Sequence, residues 1–438
     1  MPADQLQTRI DVLAKAGFVN EAGKADLEAV VRVLTGSYDI PADDRAVGGI
    51  VAHLAAALKR LETGEEVQPF APELVQQVLD SGDHPLASQI ATDVFRAISV
   101  ELPDDERVYV VAHVESIILA EREKGHEVRC VGAVVQTVRG LIPASELGAT
   151  LAHEHLVVDL GRIRGDEDAT FGDSELVRSE VVTAREAGVR SIIEVSCCDM
   201  GRDPEALRAI SEACDINIVC STGFYHEVYH PAWVQTASVA DVRDFFLKEF
   251  DDGIGDTGIR PGVIGEVAGE ERDIPGSELT VMKAAAQAAV RVGCAVTTHC
   301  QLGCMALEQA DVLLGEGIEP GRVVLGHLDL ANDMDYYRAV LATGVNIAFD
   351  TFGKQAYLAD EVRVENLARL VDEGYAGQLL LSNDVSRMSY MRARGGHGYA
   401  GVMEHAVPAL LARGDYERAV HQMLVENPAR VFTIGGAA

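Results

Sequence analysis

The stretch LAHEHL sets His153 and His155 two residues apart in a β-like apolar run. Alternation along a strand sends side chains i and i+2 to the same face, so both imidazoles point one way. Four more ionisable residues stand near the ends of later apolar runs: Glu266 in GVIGEVAG, His299 in AVTTHC, His327 in VVLGHLD and Asp384 in LLLSND. A single buried histidine is an ordinary hydrogen-bonded core residue. Six ionisable groups gathered at one end of parallel strands would carry a large desolvation cost unless cations offset it. Nitrogen and carboxylate ligands suit zinc first, with manganese, cobalt or iron as alternatives, and their number fits two divalent ions better than one. The assignment gives His153, His155 and Asp384 to one ion and His299 and His327 to the other, with Glu266 bridging. A hydroxide held between ions roughly 3.5–4 Å apart is a nucleophile at neutral pH. Asp384 is the expected catalytic residue, hydrogen-bonding that hydroxide and carrying a proton to the leaving group.

The elements that must position these residues fall into two groups. From residue 1 to about 125 the periodicity is helical: AVGGIVAHLAAALKRLETGE and ERVYVVAHVESIILAERE place apolar residues three and four apart, and PADD and LPDDE supply acidic helix starts. From about 130 to 438 the grammar changes to short β-branched runs, each followed by an amphipathic segment. The runs are TLAHEHLVVD, VRSIIEVSCCD, INIVCSTGFY, GVIGEVAG, AVTTHC, VVLGHLD, VNIAFDTF and LLLSND. Eight strands alternating with helices predict an α/β fold, a closed (β/α)8 TIM barrel, preceded by a smaller all-α bundle. An open doubly wound sheet is the competing arrangement.

Composition narrows the partners. The chain has 438 residues, 48% of them apolar, and 69 aspartates and glutamates against 37 lysines and arginines give a net charge of −32. Such a charge repels nucleic acid and anionic membrane, and no run reaches the length that would span a bilayer. The opening MPADQLQTRI has no apolar core, so a cytoplasmic location is expected. All eight cysteines lie from Cys130 onward without a CxxC pair and read as reduced thiols. Cys300 and Cys304 near strand 5 read as ordinary buried thiols.

One motif is a decoy. HEVYH, His226 to His230, matches the HExxH pattern of zinc proteases. Pro231 disfavours helical geometry at His230, so the segment reads as a rim loop after strand 3. GGHGY, Gly395 to Tyr399, reads as a loop over the site with His397 as a substrate-contact candidate. Trp233 would line the pocket or cover the barrel.

From about Val131 to Phe432 the chain resembles the phosphotriesterase-like branch of the amidohydrolase superfamily. The likeness rests on LAHEHL, Gly201 to Asp203, GDTGIRPGVIGEVAG, VTTHC, VLGHLD, LLSND, GGHGYAG and VENPARVF. It implies a binuclear (β/α)8 hydrolase with the ligands named above. The founding members bridge their metals with a carboxylated lysine, whereas Glu266 stands here, as in a branch that uses glutamate. That departure points away from organophosphate triesters. Arg387 and Tyr390 in RMSY, with Lys354 after strand 7, are similar to the residues that hold the phosphate in members opening phosphorylated sugar lactones. In FGKQAY, Ala356 could occupy the lysine's place instead. The first half resembles the phosphotransferase-system regulation domain (PRD), a bundle phosphorylated on histidine, through IVAHLAAALKRLETGE and DDERVYVVAHVESI. Its expected phosphorylation sites are His53 and His113, with Lys59, Arg60 and Glu115 forming a docking surface for a phosphocarrier protein.

The expected function is therefore a metal-dependent hydrolase of an ester, an anionic, phosphorylated sugar-acid lactone, in a homodimer. The alternatives are a phosphotriesterase acting on organophosphates and a non-catalytic ligand-sensing regulator.

Overall fold

The computed structural model describes residues 2–38, 40–41, 47–64, 84–100, 102–126, 128 and 133–434. The chain divides into two compact units, Met1–Val134 and Val135–Ala438. Ala42 to Asp44 of the PADD start, and Cys130, lie outside the described residues.

The described residues of the first unit are mainly helical: α1 Pro2–Lys15, α2 Glu21–Arg32, α3 Gly48–Thr63, α4 His84–Arg96 and α5 Asp104–Glu123. Asn20 caps α2 by accepting the Gly23 N–H at 2.9 Å. Gly64 ends α3 at φ +70, a left-handed turn that a Cβ would strain. Ile50, Val51 and Leu54 of α3 share one buried cluster with Val110, Val114 and Ile117 of α5. The spacing of three and four that drew these helices in the sequence is the stripe they bury. Each fully buried valine, leucine or isoleucine contributes roughly 1.5–3 kcal/mol.

The second unit is the eight-stranded sheet. Its strands are β1 Thr150–Glu154, β2 Ser191–Glu194, β3 Asn217–Thr222, β4 Val263–Gly269, β5 Ala295–Cys300, β6 Val323–Gly326, β7 Asn346–Phe349 and β8 Leu379–Leu381. Neighbours pair in chain order and in parallel. Helices follow the strands: α6 Glu175–Glu186, α7 Pro204–Cys214, α8 Val239–Asp252, α9 Gly276–Val292, α10 Ala306–Gly315, α11 Met334–Leu341 and α12 Asp360–Asp372.

The ends of the sheet meet. The Asp384 N–H donates to the His153 carbonyl at 3.3 Å, and the His153 N–H donates to Ser382 Oγ at 3.0 Å. One buried cluster takes a residue from every strand, from Ala152 of β1 to Leu380 of β8. An open doubly wound sheet keeps its edge strands apart, so this shared interior decides for the barrel. Alternate residues such as Leu151, Ile192, Ile218 and Val296 face outward into the helix layer. Burial on both faces is why the strands read as nearly continuous apolar runs.

LAHEHLVVD is not one strand. β1 stops at Glu154, and Val158–Asp159 pairs antiparallel with Thr170–Phe171. His155 therefore stands just past the strand, with its ring 5.7 Å from that of His153.

Candidate metal centre

Parallel strands deliver their C-terminal residues to one rim, and the six residues singled out at the strand ends gather there. Glu266 is the focus. Its Oε1 lies 3.3 Å from His155 Nε2, and its Oε2 lies 3.3 Å from His153 Nε2, 2.9 Å from His299 Nδ1 and 3.7 Å from His327 Nε2. Asp384 Oδ1 is 3.3 Å from His155 Nε2. Two triads of donor atoms fit within 4.8 Å around Glu266, one with His153 and His155 and one with His299 and His327.

The donor set fits divalent cations on two observations. Both ring nitrogens of His153 are buried with no hydrogen-bond partner, although each lies 3.3 Å from a carboxylate oxygen, of Glu266 or of Asp350. His327 Nε2 and His299 Nδ1 stand 2.9 Å apart, so two lone pairs collide unless a proton or a cation lies between them.

With protons alone to balance the charges, these groups pull one another far from their ordinary behaviour. Burial opposes ionisation of Glu266, yet His153 and His299 hold its carboxyl well below the usual range. Burial likewise opposes the Asp384 charge, and the Lys354 ammonium and His155 hold it low. Burial disfavours a charged His155, but Asp384 and Glu266 outweigh it and push the ring up to about 10. Burial and the neighbouring His327 push His299 down to about 4. Anionic carboxylates that draw this much positive charge into a dry pocket are the electrostatic setting of a cation site.

Two of the six rim residues have a strained backbone: His327 has φ +61 and Asp384 φ +49. Side chains rarely adopt these angles, and they persist where surrounding bonds over-determine them. Glu154 does this for Asp384. Its buried carboxylate accepts from Asn383 N–H (2.7 Å), Ser382 Oγ (2.7 Å) and Val385 N–H (2.9 Å), fastening the residues around Asp384 to β1.

Lys354, Arg387 and Tyr390 line the same pocket, which holds about 670 Å³ counting its open mouth. Lys354 is buried, ion-paired with Asp384 Oδ2, and sits 5.0 Å from the Tyr390 ring centre. Arg387 pairs with Asp166 and lies 3.9 Å from Asp168. His397 packs behind this wall, its ring 5.9 Å from Tyr390. Trp233 is 42% exposed and packs on Phe224 and Phe245 rather than lining the pocket. In HEVYH only Glu227–Tyr229 forms a single 3-10 turn, and His230 is extended (φ −56, ψ 132), so its histidines are not stacked on a helix.

In the helical unit the rings of His53 on α3 and His113 on α5 lie 5.0 Å apart. His53 Nε2 is 3.0 Å from Glu106 Oε2, and His113 Nδ1 is 3.0 Å from the Tyr109 carbonyl. Arg60 turns onto the same Glu106 at 2.6 Å, and Lys59 pairs with Glu62.

The phosphotriesterase family model matches residues 133–432, the span that contains all six rim residues. The chain belongs to the phosphotriesterase family. Residues 28–117 match the PRD domain. The phosphotriesterase homology protein of Escherichia coli is 34% identical over 285 residues, covering 65% of this chain and 98% of that protein. The aryldialkylphosphatase of Saccharolobus solfataricus is 27% identical over 305 residues, covering 67% of this chain and 97% of its own. The crystal structure of a lactonase from Listeria monocytogenes superposes with a TM-score of 0.67 at 26% identity, covering 69% of this chain and 100% of that one.

Within this phosphotriesterase-family barrel the sequence reading overlooked several supporting residues. Asp350, next after β7, accepts the His327 N–H at 3.0 Å, meets its Nδ1 at 2.9 Å and faces His153 Nδ1. It stands in VNIAFD at the same strand end as the other polar residues, which was the available signal. Gln301 Oε1 meets His299 Nε2 at 2.8 Å and so turns Nδ1 toward Glu266. Ser196 bridges His155 Nδ1 to Glu194 at 2.9 and 2.5 Å. Such contacts set the tautomer and aim of each ring. Among the described residues no helix is long and apolar enough to cross a membrane.

Proposed function

We propose that the barrel is a binuclear metal-dependent hydrolase whose substrate is the lactone of a phosphorylated sugar acid. Hydrolysis of esters is the chemistry named for two phosphotriesterase-family relatives, an aryldialkylphosphatase and a lactonase, while others are N-acetyltaurine hydrolases, which cleave an amide. The observation that carries the reading is the convergence of four imidazole nitrogens on the two oxygens of Glu266.

In this reading His153, His155 and Asp384 would hold one ion, His299 and His327 the other, and Glu266 would be shared, with zinc first and manganese, cobalt or iron as alternatives. Two such ions supply a water acidified to near neutrality and an electrophile for the attacked oxygen. Asp384 Oδ1 faces His155 at the site and Oδ2 is held by Lys354, so the carboxylate stays ionised until it takes a proton, which it would pass to the leaving oxygen. Asp350, Gln301 and Ser196 keep the imidazoles aimed. Burial of the six groups excludes bulk water and strengthens every charge interaction in the pocket.

The substrate class rests on Lys354, Arg387 and Tyr390, which share the pocket with the metal-facing groups. Arg387 binds a phosphate tail by exchanging Asp166 for it, and the fork of a guanidinium matches phosphate oxygens. A neutral organophosphate triester offers these cations nothing, so lactone is preferred over triester. All six rim residues are present, which favours an enzyme over a ligand sensor. In the helical unit, His53 and His113 are proposed as phosphorylation sites for a phosphocarrier protein, where about −2 charge would arrive beside Glu106 and Arg60.

The deciding experiment is metal analysis of the purified chain followed by turnover of paired sugar lactones with and without a terminal phosphate. Two ions per chain and a clear preference for the phosphorylated member support the reading. A metal-loaded protein that turns over neither member rejects the substrate assignment.

A further inference from the structure

Beside the hydrolytic centre lies a second polar cluster that the proposed reaction does not use. His226, on the loop after β3, places Nδ1 3.1 Å from Glu270 Oε1 and 3.3 Å from Glu278 Oε1. Glu270 follows β4 directly, and Glu278 stands in the first turn of α9. Donor atoms of all three lie within 4.8 Å of one another.

Their surroundings argue for more than a surface ion pair. His226 and Glu278 are 5% and 1% exposed. Glu278 Oε1 accepts the Glu227 N–H at 2.8 Å, whereas Oε2 is buried with no hydrogen-bond partner. The start of α9 supplies no donor to that oxygen. A proton on His226 would satisfy the Nδ1 side and still leave Oε2 unpaired. A buried carboxylate oxygen without a donor is destabilising, and a cation chelated by both oxygens of Glu278, with His226 and Glu270 beside Oε1, removes the deficit.

We infer that His226, Glu270 and Glu278 form a third cation site, taking one divalent transition ion such as zinc or manganese. One imidazole with two carboxylates suits these ions better than calcium, which prefers six or more oxygens. The ion would staple the loop after β3 to the start of α9. That loop carries Tyr225, whose hydroxyl reaches His299 Nδ1 at 3.4 Å, and the His226 ring itself lies 5.0 Å from the His299 ring. The staple would thus fix one wall of the hydrolytic pocket without entering it.

The test counts ions. The full chain is equilibrated with zinc, freed of excess ion by gel filtration, and compared with Glu270→Gln, which changes a residue whose side chain is 47% exposed and leaves the core intact. Both are measured again in a His155→Ala background, so the difference does not depend on the hydrolytic centre. Expected is one ion fewer per chain in Glu270→Gln in both backgrounds, and an anomalous-scattering peak among His226, Glu270 and Glu278 in wild-type crystals. Equal counts with and without the substitution, or a peak elsewhere, overturn the site.

Discussion

In the barrel, four imidazoles turn nitrogens toward the two oxygens of one buried carboxylate. In the helical unit, two imidazoles face each other at 5.0 Å, and each has its own separate neighbour, Glu106 for His53 and the Tyr109 carbonyl for His113. The residue type is the same and the chemistry differs. Convergence on a single anion in a dry pocket leaves facing lone pairs that a shared proton or a cation must bridge, which is the setting of a metal site. Rings with separate partners can each take a phosphoryl group without dismantling a shared centre.

The sharpest break of that contrast is Glu266→Gln. If the barrel histidines depend on a shared anion, this variant loses bound metal and its kcat/KM falls by about a thousandfold or more, roughly 4 kcal/mol. Retained metal with unchanged turnover would place the centre elsewhere. Asp384→Asn comes next: kcat should drop about 10²- to 10⁴-fold as the proton carrier is lost, with the ion held by His299 and His327 still present by metal analysis. Asp350→Asn tests the orienting shell and should weaken metal affinity about 10- to 100-fold, read by competition with a chelator. A smaller effect is expected at the pocket wall. Asp166→Asn releases Arg387 from its carboxylate and should lower KM for the phosphorylated lactone about two- to fivefold, with no change for the unphosphorylated one.

The smallest effect belongs to the helical unit and carries a sign. Burial, then the charge of His113, lowers the His53 pKa from its ordinary 6.5, against the pull of Glu106. A base whose pKa falls on folding binds more protons when unfolded, so stability rises with pH across that window. His53 therefore contributes fully above 6.5, and its contribution is lost as pH falls from there through the lower folded value. Unfolding of the PRD-type unit followed between pH 7 and 5 should show this slope, and His53→Gln should flatten it.

The comparison also separates what was legible from what was not. The barrel strands, the helices of the bundle and the six rim residues were readable because each is announced locally, by a period of two or near 3.6 and by a polar residue ending an apolar run. Asp350 sat at such an end and was passed over, since one carboxylate in sequence does not say whether it faces metal or holds the ring that does. Glu154 lies between the two histidines of LAHEHL and fastens the residues flanking Asp384, a contact across 228 residues that no local pattern carries. A rim carboxylate was a readable partner for Arg387, but that it is Asp166 was hidden, as was the approach of Glu270 and Glu278 to His226 inside a motif that reads as a failed protease helix.

By itself the sequence determined the alternation that makes a barrel, the amphipathic stripes that make a bundle, and the chemical types available at each strand end, because these follow from backbone periodicity and burial. Only the tertiary structure decided which nitrogen of each ring faces Glu266, which carboxylate claims each cation, and that β8 closes on β1. Those choices depend on distances between residues far apart in the chain, and such distances exist only once the ring of strands has closed.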